Sequence, residues 1–137
     1  MAFVVSEMFE DPAVPTQPVI DEHADASERT YAMFMHLTLL LTSAMIPVIP
    51  ALIMWTIKRK DSPFLDDHGK EAMNFQISLL LYSIVIVPII GVLTCSIGFF
   101  ILWPVVVVLG VVGMIMAAVA ANKGQYFRYP ACIRFIH

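Results

Sequence analysis

The chain is poor in charge. Only 14% of its 137 residues are Asp, Glu, Lys or Arg, and 59% are hydrophobic; soluble domains sit nearer ~25% and ~45–50%. Between Ala72 and Asn122 there is no charged residue, and between Tyr31 and Ile57 only His36 could carry a charge. A helix needs roughly 20 apolar residues to cross ~30 Å of hydrocarbon, and both runs are longer than that. The scarcity of charge excludes an ordinary soluble domain and predicts an integral membrane protein.

Other absences narrow the function. The first 28 positions hold seven of the eleven acidic residues and no Lys or Arg, so "MAFVV" is not expected to be a secretory leader. No lipidation motif is expected at either end. No basic stripe exists to follow a phosphate backbone, which argues against nucleic acid. There is no Gly-rich phosphate loop, no Ser or Cys in an elbow motif and no pair of membrane aspartates, so neither an enzyme nor a cofactor is expected. The two cysteines, Cys95 and Cys132, are expected on opposite sides of the membrane and not in one disulfide.

What remains reads as an all-α membrane protein with three transmembrane helices and an interfacial amphipathic C-terminal tail. Residues 1–29, with "EDPAVPTQPVIDEHADAS", are acidic and Pro-rich and bury too little apolar surface to order, so a disordered tail is expected, acting as a spacer or a partner-binding motif. Residues 30–137 form the membrane domain. The first span covers about 30–57, and Pro47 and Pro50 predict a kink or break within it, with Thr42 and Ser43 near enough to bond freed carbonyls. The run 72–121 divides at "GVLTCSIG" into spans of about 71–93 and 98–121. Gly113, Ala117 and Ala121 share one face of the last span, as close helix packing requires, within one chain or between two. The ending "NKGQYFRYPACIRFIH" alternates basic and aromatic residues and suits the headgroup layer.

Lys58, Arg59, Lys60 and Lys70 flank the first loop, and Lys123, Arg128 and Arg134 follow the last span. With three spans these clusters share a side, which the positive-inside rule makes cytoplasmic. The expected location is the bacterial inner (plasma) membrane, multi-pass, with the N-terminus outside and the C-terminus in the cytoplasm.

The stretch "KRKDSPFLDDHGKEAMNFQ", residues 58–76, is the most polar in the body of the chain. Ser62 and Pro63 suit a helix cap and first helical position, Asp66 or Asp67 could cap the second span, and Gly69 allows close backbone approach. Asp67, His68 and Glu71 are too few to make a metal site. His36 is the obvious further ligand, but about 33 Å of continuous helix would separate it from Lys58, so it is not expected to reach His68. His36 itself reads as a neutral, bonded histidine or as a proton-linked one. Asn74 and Gln76 enter the membrane, where amides either join helices or line a polar path or partner site.

"WTIKRKDSPFLDDHGKEAMNFQIS" resembles the signature of the Tic-twenty-like family of small bacterial membrane proteins. The likeness rests on Trp55, Lys58–Lys60, Ser62-Pro63-Phe64, the run His68 to Ala72 and Asn74-Phe75-Gln76. The ending contributes Gly124, Tyr126, Tyr129-Pro130 and Arg134-Phe135. The family is distantly related to a subunit of the chloroplast inner-envelope import machinery, whose members are thought to have four spans. The resemblance implies assistance to membrane-protein assembly or polypeptide transport.

The sequence therefore predicts a non-enzymatic membrane protein with no metal or cofactor. Its partners would be the lipid bilayer and either its own copies or another membrane protein. Candidate partner-binding residues are Asp67, His68, Lys70, Glu71, Asn74 and Gln76, with Tyr129 and Arg134 beside them. A small channel or transporter subunit is the alternative, since proline-broken helices expose backbone groups that can coordinate ions.

Overall fold

A computed structural model describes residues 18–41 and 48–137. Among the described residues, five α-helices run in order: α1 (Ala26–Leu41), α2 (Val48–Lys58), α3 (Pro63–Leu81), α4 (Val87–Leu93) and α5 (Ile97–Asn122). A π-helical turn, Tyr82–Ile86, joins α3 to α4 without interruption. The described residues contain no strand; one isolated bridge pairs Ile20 with Gln125. The expectation of disorder for residues 1–17, and the bonds expected from Thr42 and Ser43, fall outside the described residues.

Among the described residues, two continuous helices are long and apolar enough to cross a membrane: Pro63–Leu93, of 31 residues, and Ile97–Asn122, of 26. At 1.5 Å per residue they are about 46 and 39 Å long. They form a hairpin through Thr94-Cys95-Ser96. There Cys95 and Ser96 take positive φ values of 52° and 75°. Thr94 Oγ1 accepts from Gly98 N at 2.8 Å and donates to Ile90 O at 2.6 Å, satisfying backbone groups that the turn leaves open.

The expected first span, about 30–57, is not one helix. α1 starts earlier, at Ala26, because Asp25 and Glu28 form a reciprocal cap. Asp25 Oδ1 accepts from Glu28 N at 2.8 Å, and Glu28 Oε2 accepts from Asp25 N at 3.2 Å, the two-way arrangement of a capping box. α2 then runs back alongside α1, with Pro50 in its first turn, where a missing amide costs little. Tyr31 near the start of α1 donates to Met54 O near the end of α2 at 2.9 Å. Three spans are thus replaced by two candidate spans and a helical pair that returns to its own starting level.

That return changes the end-to-end arrangement. Asp21 N donates to Gly124 O at 2.8 Å and Tyr126 N to Val19 O at 2.9 Å, while Tyr126 OH donates to Asp21 Oδ2 at 2.7 Å. Residues 18–25 therefore sit beside the C-terminal tail at one end of the hairpin. Gly124, at φ 73°, makes this possible. It closes α5 in the left-handed conformation, with Gly124 N bonded to Ala121 O and Gln125 N to Ala120 O, as in a Schellman cap.

α5 packs most extensively on α1. Gly113, Ala117 and Ala121 are all buried on its inward face, and a side chain at Gly113 would meet the Phe75 ring at 2.8 Å. α3 starts at Pro63, with Ser62 Oγ accepting from Leu65 N. Asp66 and Asp67 lie inside its first turns and do not cap it. Instead Asp66 accepts from Trp55 Nε1 at 2.9 Å and pairs with Lys70 at 2.7 Å. Gly69 faces the same indole, and a Cβ there would collide with Trp55 Cδ1.

Two outcomes follow. Gly69→Ala forces the Trp55 ring off α3 and is expected to cost about 1–3 kcal/mol, read as a lower thermal midpoint and altered Trp fluorescence in detergent; Gly110→Ala, whose nearest neighbour is the end of Leu79 at 3.2 Å, serves as the mild comparison. The Tyr126 hydroxyl, followed by the His23 amide, holds the Asp21 carboxyl below its usual 3.8. A depressed carboxylate stabilises the fold above its unfolded pKa and loses that contribution as pH falls through the folded one. Acidification below about 4 should release residues 18–23 from the tail, read by faster amide exchange, and Tyr126→Phe should weaken this dependence.

Candidate functional site

The polar residues of α3 form a stripe. Asp67, Glu71, Asn74, Ser78 and Tyr82 recur at intervals of four, three, four and four, which puts them on one helix face. The C-terminal tail lies along this face as an extended strap, reversing at Pro130-Ala131, where Ala131 takes φ 55°. The expected amphipathic interfacial tail is therefore a packed segment with no helix.

Each stripe residue holds one part of the strap. Arg128 places both terminal nitrogens on the Asp67 carboxylate, each at 2.6 Å, a bidentate geometry. This ion pair raises the Arg128 pKa above its usual value. Glu71 is 4% exposed; it accepts from Arg134 Nε at 3.1 Å and from Tyr129 N at 3.3 Å, with Arg128 Nε at 3.6 Å. Asn74 uses its whole amide on the tail backbone: Oδ1 accepts from Phe135 N at 3.0 Å and Ile136 N at 2.8 Å, and Nδ2 donates to Ile136 O at 2.8 Å. Ser78 accepts from Ile133 N at 2.9 Å and donates to Asn74 O at 2.7 Å. Tyr82 OH donates to Ala131 O at 2.6 Å.

Beneath the strap lies a closed aromatic and imidazole cluster. His36 Nε2 and His68 Nδ1 share a hydrogen bond of 2.8 Å, and Tyr129 OH lies 2.9 Å from His36 Nδ1. His36 thus does reach His68. The expected separation assumed one continuous helix from His36 to Lys58, whereas α2 doubles back and leaves α1 free to lay His36 against α3. Tyr129 stacks on Phe75 with ring centroids 3.8 Å apart, and burial pushes its phenol well above 10, so it stays a neutral group. Tyr126, whose ring is stacked over His68 with centroids 6.1 Å apart, is pushed up to about 12 by burial and then by the Asp21 carboxylate.

The candidate residues therefore divide. Asp67, His68, Glu71, Asn74, Tyr129 and Arg134 are brought together around the strap. Gln76 points to α1, donating to Thr38 Oγ1 at 3.0 Å, and Lys70 lies on the outer side with Asp66. Ser78, Tyr82 and Thr38 belong to the same construction although the sequence reading did not single them out. The four-three-four-four spacing of polar residues in an apolar run was the available signal. His68 Nε2 and Gln76 Oε1 are buried without a well-formed hydrogen bond, and they lie about 12 Å apart along α3, so they do not converge on one ligand. Among the described residues no group of three or more His, Cys, Asp or Glu could hold a metal ion.

Asn74→Ala leaves three tail backbone groups without their partner. It should cost about 2–4 kcal/mol, seen as faster hydrogen exchange at residues 133–136 while exchange in α5 is little changed.

The comparisons with known proteins bear on the whole of this arrangement. No curated protein and no solved structure matches the chain. One family model does, over residues 27–136, which takes in the helical pair, both candidate spans and the strap. It is not the Tic-twenty-like family that the loop residues resemble, and nothing in the comparisons supports the polypeptide-transport role implied by that resemblance. The match covers most of the chain, and the protein belongs to the magnetosome magnetite crystal formation protein family (MamF/MmsF).

Proposed function

We propose that the protein is a non-enzymatic component of the magnetosome membrane that takes part in magnetite crystal formation. The observation that carries this reading is the family match across residues 27–136. The geometry supports a structural role. The carboxylates of Asp67 and Glu71 are engaged by Arg128 and Arg134, and the His36–His68 pair is buried.

All eight basic residues lie at the end of the hairpin that carries the strap: Arg29, Lys58, Arg59, Lys60, Lys70, Lys123, Arg128 and Arg134. By the positive-inside rule that end faces the cytoplasm. Among the described residues, the opposite face then presents little more than Thr94-Cys95-Ser96. On this reading the chain acts on the crystal through the membrane and through partners docked on its cytoplasmic cap, where the side chains of Lys70 and Arg134 are reachable. Asp67, His68, Glu71, Asn74, Gln76 and Tyr129 hold the shape of that surface.

The test is genetic. In a magnetite-forming host, loss of the chain should alter the size distribution of crystals seen by electron microscopy, and the wild-type chain should restore it. Asn74→Ala should restore it only in part. Crystals that are unchanged on loss of the chain would overturn the proposal.

A further inference from the structure

α1 and α2 together do not have the form of a span. α1 has 16 residues and α2 has 11, about 24 and 16 Å of helix, each short of the ~30 Å hydrocarbon thickness. Their polar ends are level. Asp25 and Glu28 at the start of α1 share a cleft with Lys58 and Asp61 at the end of α2, and Arg29 lies against Gly124 just past the end of α5. Away from that level the outward faces are apolar: Phe34, Ile49, Leu52 and Ile53 are between 40% and 53% exposed.

The depth of the pair can be read against α5. Leu39, near the end of α1, lies 3.7 Å from the position of a Cβ on Gly110. From Asn122 to Gly110 is about 18 Å of helix, and from Gly110 to Ile97 about 20 Å more. In that second half, Phe99, Phe100, Ile101, Trp103 and Val105 are exposed; Phe99 lies against Gly91 of α4, and Val106, nearer the middle of α5, packs on the Phe75–Leu79 cluster of α3.

We infer that α1 and α2 are a re-entrant helical pair docked into the acyl chains of one leaflet, the leaflet beside the strap. The occupant of the outward face is lipid. That face is continuous, at the same depth, with the exposed apolar surface of α5, where Val112, Ile115, Met116 and Val119 are 49–53% exposed. A polar environment would leave both surfaces unfavourably wet. The chain is then four helices wide in one leaflet and two in the other. Such a wedge favours membrane that curves with the strap end on its convex side. The inference needs the chain to be membrane-embedded but does not depend on its role with magnetite.

The experiment is cysteine labelling of the full chain with a membrane-impermeant maleimide. Glu22→Cys, Lys60→Cys and Lys123→Cys are placed singly in a Cys95→Ser, Cys132→Ser chain, and native Cys95 is read in a Cys132→Ser chain. In spheroplasts and inside-out vesicles, the three introduced cysteines should label from one face and Cys95 from the other. Labelling of Glu22→Cys from the face that labels Cys95 would overturn the re-entrant pair, because residues 26–58 would then cross the bilayer. The same chains are reconstituted into small sonicated vesicles and into large ones. Lys60→Cys should label from outside in a clear majority of chains in the small vesicles and in a near-even share in the large. An equal share in both would overturn the wedge. A fluorophore on Phe34→Cys should be quenched by brominated acyl chains; no quenching would overturn lipid as the occupant.

Discussion

An irregular peptide backbone can sit at membrane depth only if protein satisfies its amides and carbonyls, because hydrocarbon offers no partners. The strap is irregular backbone laid along an apolar helix and has the same need for partners, which α3 supplies. Asn74 bonds the backbone of residues 135 and 136, Ser78 that of residue 133 and Tyr82 that of residue 131. A polar stripe in an apolar helix, costly when exposed to lipid, is here consumed by the tail of the same chain. With the strap in place, Tyr129 is pressed onto Phe75 and His36, and α1 is held against α3 and α5.

The second constraint is close approach. Gly69 lets the Trp55 indole lie directly on α3, and that ring also donates to Asp66. Gly113, Ala117 and Ala121 let α1 and the Phe75–Tyr129 stack lie against α5. Small residues at helix contacts are the usual device where lipid removes the hydrophobic drive to associate. The outer surface shows the complementary pattern, with valine, isoleucine and phenylalanine left facing outward along the spans.

These contacts explain why the loop motif pointed to another family. Gly69, Glu71, Asn74 and Gln76 stand out because each has a specific structural partner: Trp55, Arg134 with the Tyr129 amide, the tail backbone, and Thr38. They report how a cap is assembled, and a cap of this kind says little about activity. The resemblance drew on the loop and on the ending, and the family match over 27–136 overturns it.

The amino-acid sequence by itself determined that the chain belongs in a membrane, that its helices are apolar on the outside, and that its basic residues collect near segment ends. Those are properties of composition and local order, and local order is where such information resides. The capping box at Asp25 and Glu28 and the polar stripe from Asp67 to Tyr82 are present as spacings, but the sequence reading put the first in a disordered tail and did not single out Ser78 or Tyr82 of the second. Only the tertiary structure decided that α2 turns back along α1, that residues 18–25 meet the C-terminal tail, and that His36 touches His68. The physical reason is that a hydrophobic run of given length fits a spanning helix and a returning pair equally well. The choice between them is made by partners far away in sequence: Met54 for Tyr31, Gly124 for Asp21 and Tyr129 for His36.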